Sequence, residues 1–213
     1  MLWHIGNTTV RTPYRLRDAL RVLKNSALNG NISGKDQENA FAALLHNEGI
    51  LDAPRVAAKV DAADLGRKWR AALSQLGFIT PLLTRNVESG AVDPNPVGIV
   101  AEVEGLSGKA FEITPHGHRL INAEIITAQQ ECFLRSLASY RIPSCIESRY
   151  EGDSFSPLRF VLSVLNGIID SGGEARLTFQ EFALFVQTSS PADGVDVVVE
   201  RIISFRAGRE KAK

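Results

Sequence analysis

The sequence predicts a mainly α-helical fold with small β-hairpin wings, organised as a winged helix-turn-helix unit followed by a second helical, winged-helix-like unit. Three observations lead to this fold class. Apolar residues recur at helical spacing in three successive segments before residue 77. Two short strand-like segments then flank a loop rich in Gly, Pro, Asp and Asn. The last third of the chain is again helical in its spacing, with proline starts and glycine stops.

The composition is that of a folded globular chain. Hydrophobic residues make up 44% and charged residues 23% of the 213 residues, enough for one large core or two small ones. Equal numbers of basic and acidic residues, 24 of each, argue against a polybasic protein. They do not exclude DNA binding, because association also depends on where the charges lie.

The chain carries no sign of secretion, membrane insertion or a cysteine framework. Cys132 and Cys145 are its only cysteines, and their spacing fits neither a zinc pattern nor a disulfide scaffold. The N-terminus lacks the pattern of a signal peptide, and no apolar run reaches the roughly 20 residues that a membrane span needs. We therefore expect a cytoplasmic protein that does not contact a membrane.

The first helix is predicted to begin at Pro13, with Thr12 as its N-cap. At about 100° per residue it carries an apolar arc beside a basic one. The apolar arc holds Leu16, Ala19, Leu20 and Leu23, and the basic arc holds Arg17, Arg21 and Lys24.

Two further helices are predicted over residues 35–49 and 61–76. The inward residues of the second helix are Ala40, Phe41, Leu44 and Leu45. The third helix has a continuous apolar arc made of Leu65, Trp69, Ala72, Leu73 and Leu76. The face opposite that arc, predicted to meet solvent, holds Ala63, Arg67, Arg70 and Ser74, with Asp64, Lys68 and Gln75 along one flank.

Strands are predicted over residues 78–86 and 109–114, separated by a long loop. Thr114 and Pro115 are the cap and first residue of a helix over 115–130, and a further helix over 128–142 stops at Pro143. A helix is then predicted over 156–173. Another follows a Thr178 cap, and a last one covers the C-terminal residues. We place the domain boundary so that the first subdomain covers 1–122 and the second 123–213.

Three helices followed by a two-stranded wing suit DNA, because a helix fits the major groove, about 12 Å wide, while the hairpin reaches the flanking backbone. In this arrangement Arg67, Arg70 and Ser74 are the candidate base readers. Lys68 and Gln75 are candidates for phosphate or neighbouring bases. The N-terminal cations would track phosphates, and these are Arg11, Arg15, Arg17, Arg21 and Lys24. The competing interpretation is an ordinary amphipathic helix with a solvated face.

The sequence offers neither a metal site nor a nuclease site. His116 and His118 are two residues apart and point to different faces of a helix, so we predict no chelation by them. Metal-dependent DNA cleavage commonly uses an Asp/Glu-x-Lys pair to hold the metal and activate water. No such triplet occurs in the chain, so we expect no catalytic residue and no cofactor within it.

Several segments resemble AlwI-like type IIS restriction endonucleases. The N-terminal segment WHIGNTTVRTPYRLRDALRVL is followed, in the family's order, by ENAFAALL, FEITPHGHRLI, FLRSLASYRIPS, SPLRFVLSVL, LTFQEFALFVQT and IISFRAGRE. The resemblance implies winged-helix-like subdomains that read a short asymmetric DNA site, joined to a Mg²⁺-dependent nuclease domain that cuts to one side of it. This chain is similar to the recognition part alone, and its loop over 86–108 departs from the family pattern.

The resemblance therefore predicts the N-terminal DNA-recognition region of a type II site-specific deoxyribonuclease from a restriction-modification system. Its partners would be double-stranded DNA and a cleavage domain or subunit beyond Lys213, with Mg²⁺ needed only in that absent nuclease domain. Two other interpretations stay open: a winged-helix transcriptional regulator that binds operator DNA, and a winged-helix protein-interaction module.

Overall fold

The structure, a computed structural model, describes residues 2–3, 13–32, 34–51, 62–81, 111–143 and 152–211. The chain divides into two compact units. The first unit comprises residues 6–136, and the second comprises residues 1–5 together with 137–213. The predicted recognition subdomains, 1–122 and 123–213, stay a prediction, because compactness does not test which part recognises DNA.

The described residues are mainly helical and include one small antiparallel sheet, which confirms the predicted fold class at that level. The elements up to the unit boundary are α1 Pro13–Lys24, α2 Gly34–Asn47, α3 Ala62–Gln75, β1 Ile79–Pro81, β2 Phe111–Ile113, α4 Pro115–Ile121 and α5 Ile126–Ser139. Those that follow are α6 Pro157–Asp170, α7 Phe179–Glu181, a π-helical turn Phe182–Val186, a 3₁₀ turn Pro191–Asp193 and α8 Val195–Lys211. The predicted Thr12 cap, the end of the strand over 78–86 and the loop over 86–108 lie outside the described residues.

The core of the first unit is built on the apolar arcs of its helices. Leu16, Ala19, Leu20 and Leu23 of α1 are all buried, as predicted. The arc of α3 is buried as well, with Leu76 partly so. Two alanines were placed wrongly: Ala40 of α2 is exposed, and Ala63, predicted to face solvent from α3, is 5% exposed. A methyl group is too small a signal to fix which side of a helix meets a neighbour.

Helices α2 and α3 pack closely because a glycine lies where they meet. A Cβ atom added at Gly66 would lie 2.0 Å from the carbonyl oxygen of Glu38. The Glu38 carboxylate also accepts a hydrogen bond of 2.9 Å from Nη2 of Arg70. Glu38 therefore meets α3 twice, in a close backbone approach at Gly66 and in a side-chain hydrogen bond with Arg70.

The small sheet joins α3 to α4. Strands β1 and β2 are antiparallel, with Ile79 opposite Ile113. Thr114 then caps α4, since its Oγ1 accepts a hydrogen bond of 2.9 Å from the Gly117 N–H, and Pro115 occupies the first turn, as predicted. At Gly117 an added Cβ would lie 2.1 Å from the Phe78 carbonyl oxygen, so α4 is packed directly on the chain that enters β1.

The continuous helix predicted over 115–130 is wrong, because the chain turns between α4 and α5. The carbonyl groups left without helical partners there are bonded by side chains instead. Arg21 donates to Ile121 O at 2.9 Å, and Arg17 donates to Ala123 O at 3.0 Å. Gln129 also donates to Ala123 O, at 3.0 Å. These donors replace the helical hydrogen bonds lost at the turn. Local helix periodicity does not reveal them.

The second unit has its own core, and Trp3 belongs to it. Trp3 is 1% exposed and packs edge-on against Phe155 and Phe182. Its indole N–H donates to Ser189 O at 2.7 Å, and its backbone N–H donates to Gln187 O at 3.0 Å. Nothing in the local pattern around Trp3 predicts this long-range attachment.

An ion pair in the second unit ties the start of α7 to α8. Glu181 is 4% exposed, and its carboxylate accepts hydrogen bonds from Arg206 Nε at 2.8 Å and from the Thr178 N–H at 2.7 Å. Thr178 accepts in turn from the Glu181 N–H, so the predicted cap is confirmed as a full capping box. Among this unit's described residues, the only extended pairing is a single antiparallel bridge between Ile142 and Phe155. The winged-helix-like character of the unit stays a prediction.

Candidate nucleic-acid interface

The most exposed cation of α3 is Arg67, and it belongs to a charged triad. Its Nη2 lies 2.5 Å from Asp64 Oδ1, while Lys68 Nζ lies 2.6 Å from Asp64 Oδ2. Hydrogen bonds from Lys68 and then Arg67 lower the pKa of Asp64 below its ordinary value. The Arg67 side chain is 56% exposed, so the triad presents a net positive charge to solvent.

Arg70 does not lie on the fully exposed face that the sequence predicted for it. Its guanidinium turns toward α2 and pairs with Glu38, and the side chains are 17% and 10% exposed. Its Nε is buried without a hydrogen-bond partner among the described residues. The partner comes from another helix, so the spacing within α3 could not predict this orientation. Ser74 and Gln75, in the last turn of α3, are half-buried.

The predicted N-terminal cations are mostly engaged with backbone carbonyls. Arg15 donates to Ile50 O, and Arg17 is shared between Asp18, at 2.8 Å, and Ala123 O. The Arg17 side chain of the predicted basic arc is 18% exposed, because it bonds the Ala123 carbonyl group just after α4. Arg11 lies outside the described residues.

Arg21 and Lys24 differ from the other cations of α1. Arg21 uses only its Nε in the bond to Ile121 O, and Lys24 has no ion pair among the described residues. They are three residues apart on one helix, and both are half-buried. Arg21 therefore keeps its Nη groups outside the bond to Ile121 O.

A cavity of about 350 Å³ lies beside α1 and the end of α2. Its lining includes two basic residues, Arg15 and Arg21, and two acidic residues, Asp18 and Glu48. Because two cations face two carboxylates, the cavity shows no preference for an anionic ligand.

Of the two histidines of α4, His116 is packed into the fold. The His116 ring stacks on Phe78, with centroids 5.1 Å apart, and its Nε2 lies 3.0 Å from both Cys132 O and Ser136 Oγ. The Ser136 hydroxyl donates its hydrogen bond to Leu76 O, so it can only accept from His116. His116 Nε2 therefore carries the hydrogen and donates to both Cys132 O and Ser136 Oγ. Burial lowers the pKa of His116, which favours the neutral form of the ring. His118 is exposed on another face of α4.

The partners of the α3 cations are what the sequence prediction missed. Asp64 precedes Arg67 and Lys68 by three and four residues, so its role was readable from helical spacing. Glu38 lies 32 residues before Arg70, and no local pattern points to that pair.

The remaining chemistry of the described residues is limited. They contain no group of three or more His, Cys, Asp and Glu side chains placed to hold a metal ion. No helix among them combines the length and the hydropathy that crossing a membrane requires.

Comparison with known proteins places this chain in the class of restriction endonucleases. Residues 74–213 match the family described as AlwI restriction endonuclease. The chain therefore belongs to the AlwI restriction endonuclease family. No curated protein and no solved structure matches the chain. The matched range includes Ser74 and Gln75 and leaves the other predicted DNA-binding residues before it.

Proposed function

We propose that this chain recognises double-stranded DNA as the N-terminal part of a type IIS restriction endonuclease and positions a separate nuclease domain. The observation that carries the proposal is the side of α3 that holds the exposed Arg67 and the partly exposed Lys68, on a helix packed closely against α2. Glu38 fixes α3 through the close contact at Gly66 and through Arg70. A helix anchored in this way can enter the major groove without losing its orientation.

The arrangement of backbone segments around β2 supports a winged-helix assignment for the first unit. Thr114 N–H donates to Phe78 O, so the even-numbered residues of this segment bond toward β1. Phe111 N–H points to the other edge and donates to Gly30 O at 2.9 Å. The segment between α1 and α2 thus borders the hairpin, which is how a winged helix connects its wing to its helices.

In this proposal the polar residues of α3 divide between base and phosphate contacts. Arg67 reads a base edge, with Ser74 as a shorter contact, and Lys68 and Gln75 lie beside them. Arg70 joins them as a contact whose direction Glu38 sets. Arg21 and Lys24 bind phosphates, while Arg15 bonds the carbonyl group of Ile50, after α2, and Arg17 bonds that of Ala123, after α4.

Cleavage is assigned to a separate domain or subunit. Restriction endonucleases hydrolyse a phosphodiester, commonly with divalent metal ions bound by carboxylates. The described residues do not fit such a site, since they offer no cluster of three acidic or histidine ligands. The absence of any Asp/Glu-x-Lys triplet from the whole sequence supports the same assignment.

Replacing Arg67 with alanine is expected to relax sequence preference. The recognised duplex is first selected from a random pool with the unmodified chain, and the affinities for it and for a scrambled duplex are then measured by fluorescence anisotropy. A lost bidentate base contact lowers discrimination between the two duplexes by about 1–3 kcal/mol. Lys24→Ala should weaken binding to both duplexes alike and reduce the salt slope by about one.

Arg135→Ala is the matched control for Arg67→Ala. Arg135 is also an exposed arginine, 57% accessible, and it is paired with a carboxylate on its own helix, but that helix is α5. It should leave both affinities unchanged. If Arg67→Ala behaves like Arg135→Ala, or if the chain selects no duplex at moderate salt, α3 is not the recognition helix.

Asp64→Asn is expected to tighten binding to DNA regardless of sequence. The substitution removes the negative charge that neutralises part of the Arg67–Lys68 pair, so one more cation acts on the phosphates and the salt slope steepens by about one. Glu131→Gln removes a similar exposed pair from α5 and should have no effect. Weaker binding by Asp64→Asn would instead mean that Asp64 orients Arg67.

A further inference from the structure

Helix α6 has two apolar faces, and the second unit covers only one of them. Phe160, Val164 and Ile168 are buried in the core of the unit. A second set of apolar residues lies beside them on the helix surface. This set, here called the α6 stripe, consists of Leu158, Leu162, Leu165 and Ile169.

The α6 stripe is open to solvent along its length. Leu162 is 54% exposed and Ile169 is 51% exposed, while Leu158 and Leu165 are partly exposed. The spacings between these residues are four, three and four, the alternation of three and four by which one helix packs along another. The stripe is therefore shaped for a second helix.

Charged residues along one edge of the stripe indicate which helix fits. Arg159 lies near the start of α6 and is exposed, with no ion pair among the described residues. Asp170 lies at the end of the helix on the same edge, where its Oδ2 accepts a bond of 3.3 Å from Asn166. The edge is therefore positive at one end and negative at the other.

We propose that the α6 stripe is a dimer interface on which a second copy of this chain packs its own α6 in antiparallel orientation. A two-fold axis perpendicular to the helices then places Leu162 of one copy against Leu165 of the other, and Leu158 against Ile169. In an antiparallel pair, equivalent edges of the two helices lie on the same side. Arg159 of each copy thus comes close to Asp170 of the other.

The charges also distinguish the antiparallel pair from a parallel one. In a parallel pair each edge of one helix faces the opposite edge of the other, so the Arg159 and Asp170 side chains of the two copies would not meet. One helix face is smaller than the roughly 1,200 Å² typical of stable complexes, so the dimer forms reversibly and depends on concentration. The interface requires neither DNA nor the proposed recognition role.

Sedimentation velocity of the full chain over a wide concentration range tests the interface through charge reversal. Arg159→Asp and Asp170→Arg are each expected to weaken dimerisation about tenfold, because each creates like charges in both symmetric pairs. The double variant restores opposite charges and should recover the dimer. Leu162→Asp should abolish it.

Phe179→Ser is the matched control, because Phe179 is 84% exposed but lies on α7, away from the stripe. It should dimerise like the unmodified chain, and circular dichroism of every variant checks that the fold is kept. A chain that stays monomeric at the highest soluble concentration overturns the proposal. A dimer that the single reversals do not weaken, or that the double variant does not recover, overturns it too.

Discussion

Gly66→Ala is expected to lower the free energy of unfolding of the first unit by about 2 kcal/mol. Alanine favours a helix over glycine by about 1 kcal/mol. The added methyl carbon, however, would lie 2.0 Å from the Glu38 carbonyl oxygen, and a backbone atom cannot rotate away as a side chain can. Overpacking costs about 3 kcal/mol at the upper end of its usual range, so the clash outweighs the gain in helix propensity.

The two tryptophans of the chain allow this loss to be assigned to one unit. Trp69 is buried in the core of the first unit and Trp3 in that of the second. In a Trp3→Phe background, urea unfolding followed by fluorescence reports on Trp69 alone. We expect Gly66→Ala to lower the unfolding midpoint and also to weaken DNA binding, because α2 and α3 must move apart.

Gly208→Ala is the same substitution, but it is expected to raise stability. Gly208 lies in α8, and a Cβ added there meets no atom within 4 Å. Only the propensity term acts, so alanine should stabilise the second unit by about 0.5–1 kcal/mol. If Gly66→Ala is likewise stabilising, the close contact between α2 and α3 does not exist.

The second unit is expected to lose about 3 kcal/mol of stability as the pH falls from 4.5 to about 2. Hydrogen bonds from Arg206, opposed by burial, lower the pKa of Glu181 from 4.5 to about 2. Because the folded state binds this proton more weakly than the unfolded state does, the stabilisation is fully present above pH 4.5. It is lost as the pH falls through the folded-state pKa.

Unfolding in denaturant at about pH 5 and at about pH 2.5, followed by Trp3 fluorescence in a Trp69→Phe background, measures this loss. Glu181→Gln should lower stability at the higher pH and remove most of the difference between the two conditions. Glu174→Gln is the control, because the Glu174–Arg176 pair is 68% exposed on both sides and exposed pairs contribute little. A Glu181→Gln chain that keeps the full pH dependence would show that other carboxylates cause it.

The parts of the fold that were predictable from the sequence are those determined by residues close together in the chain. The apolar arcs of α1 and α3 follow from helical periodicity, and the caps at Thr114 and Thr178 follow from a hydroxyl placed just before a helix. Proline at the start of α6 is a signal of the same local kind.

What was missed depends on residues far apart in the chain. The turn between α4 and α5 is compensated by arginines of α1, about a hundred positions earlier, so periodicity alone extended the helix through it. Arg70 looked solvent-facing on a helical projection because its partner, Glu38, belongs to another helix. The candidate interface was therefore predictable as a helix, while the directions of its side chains were not.

The attachment of Trp3 makes the first unit an insertion between the two segments of the second. During synthesis the ribosome releases Trp3 long before Gln187 and Ser189, whose carbonyl groups accept its hydrogen bonds. Residues 6–136 can complete their own core in that interval, whereas the second unit must wait for the C-terminal segment to return to the N-terminal one. The topology therefore lets residues 6–136 fold before the second unit, which needs both of its separate segments.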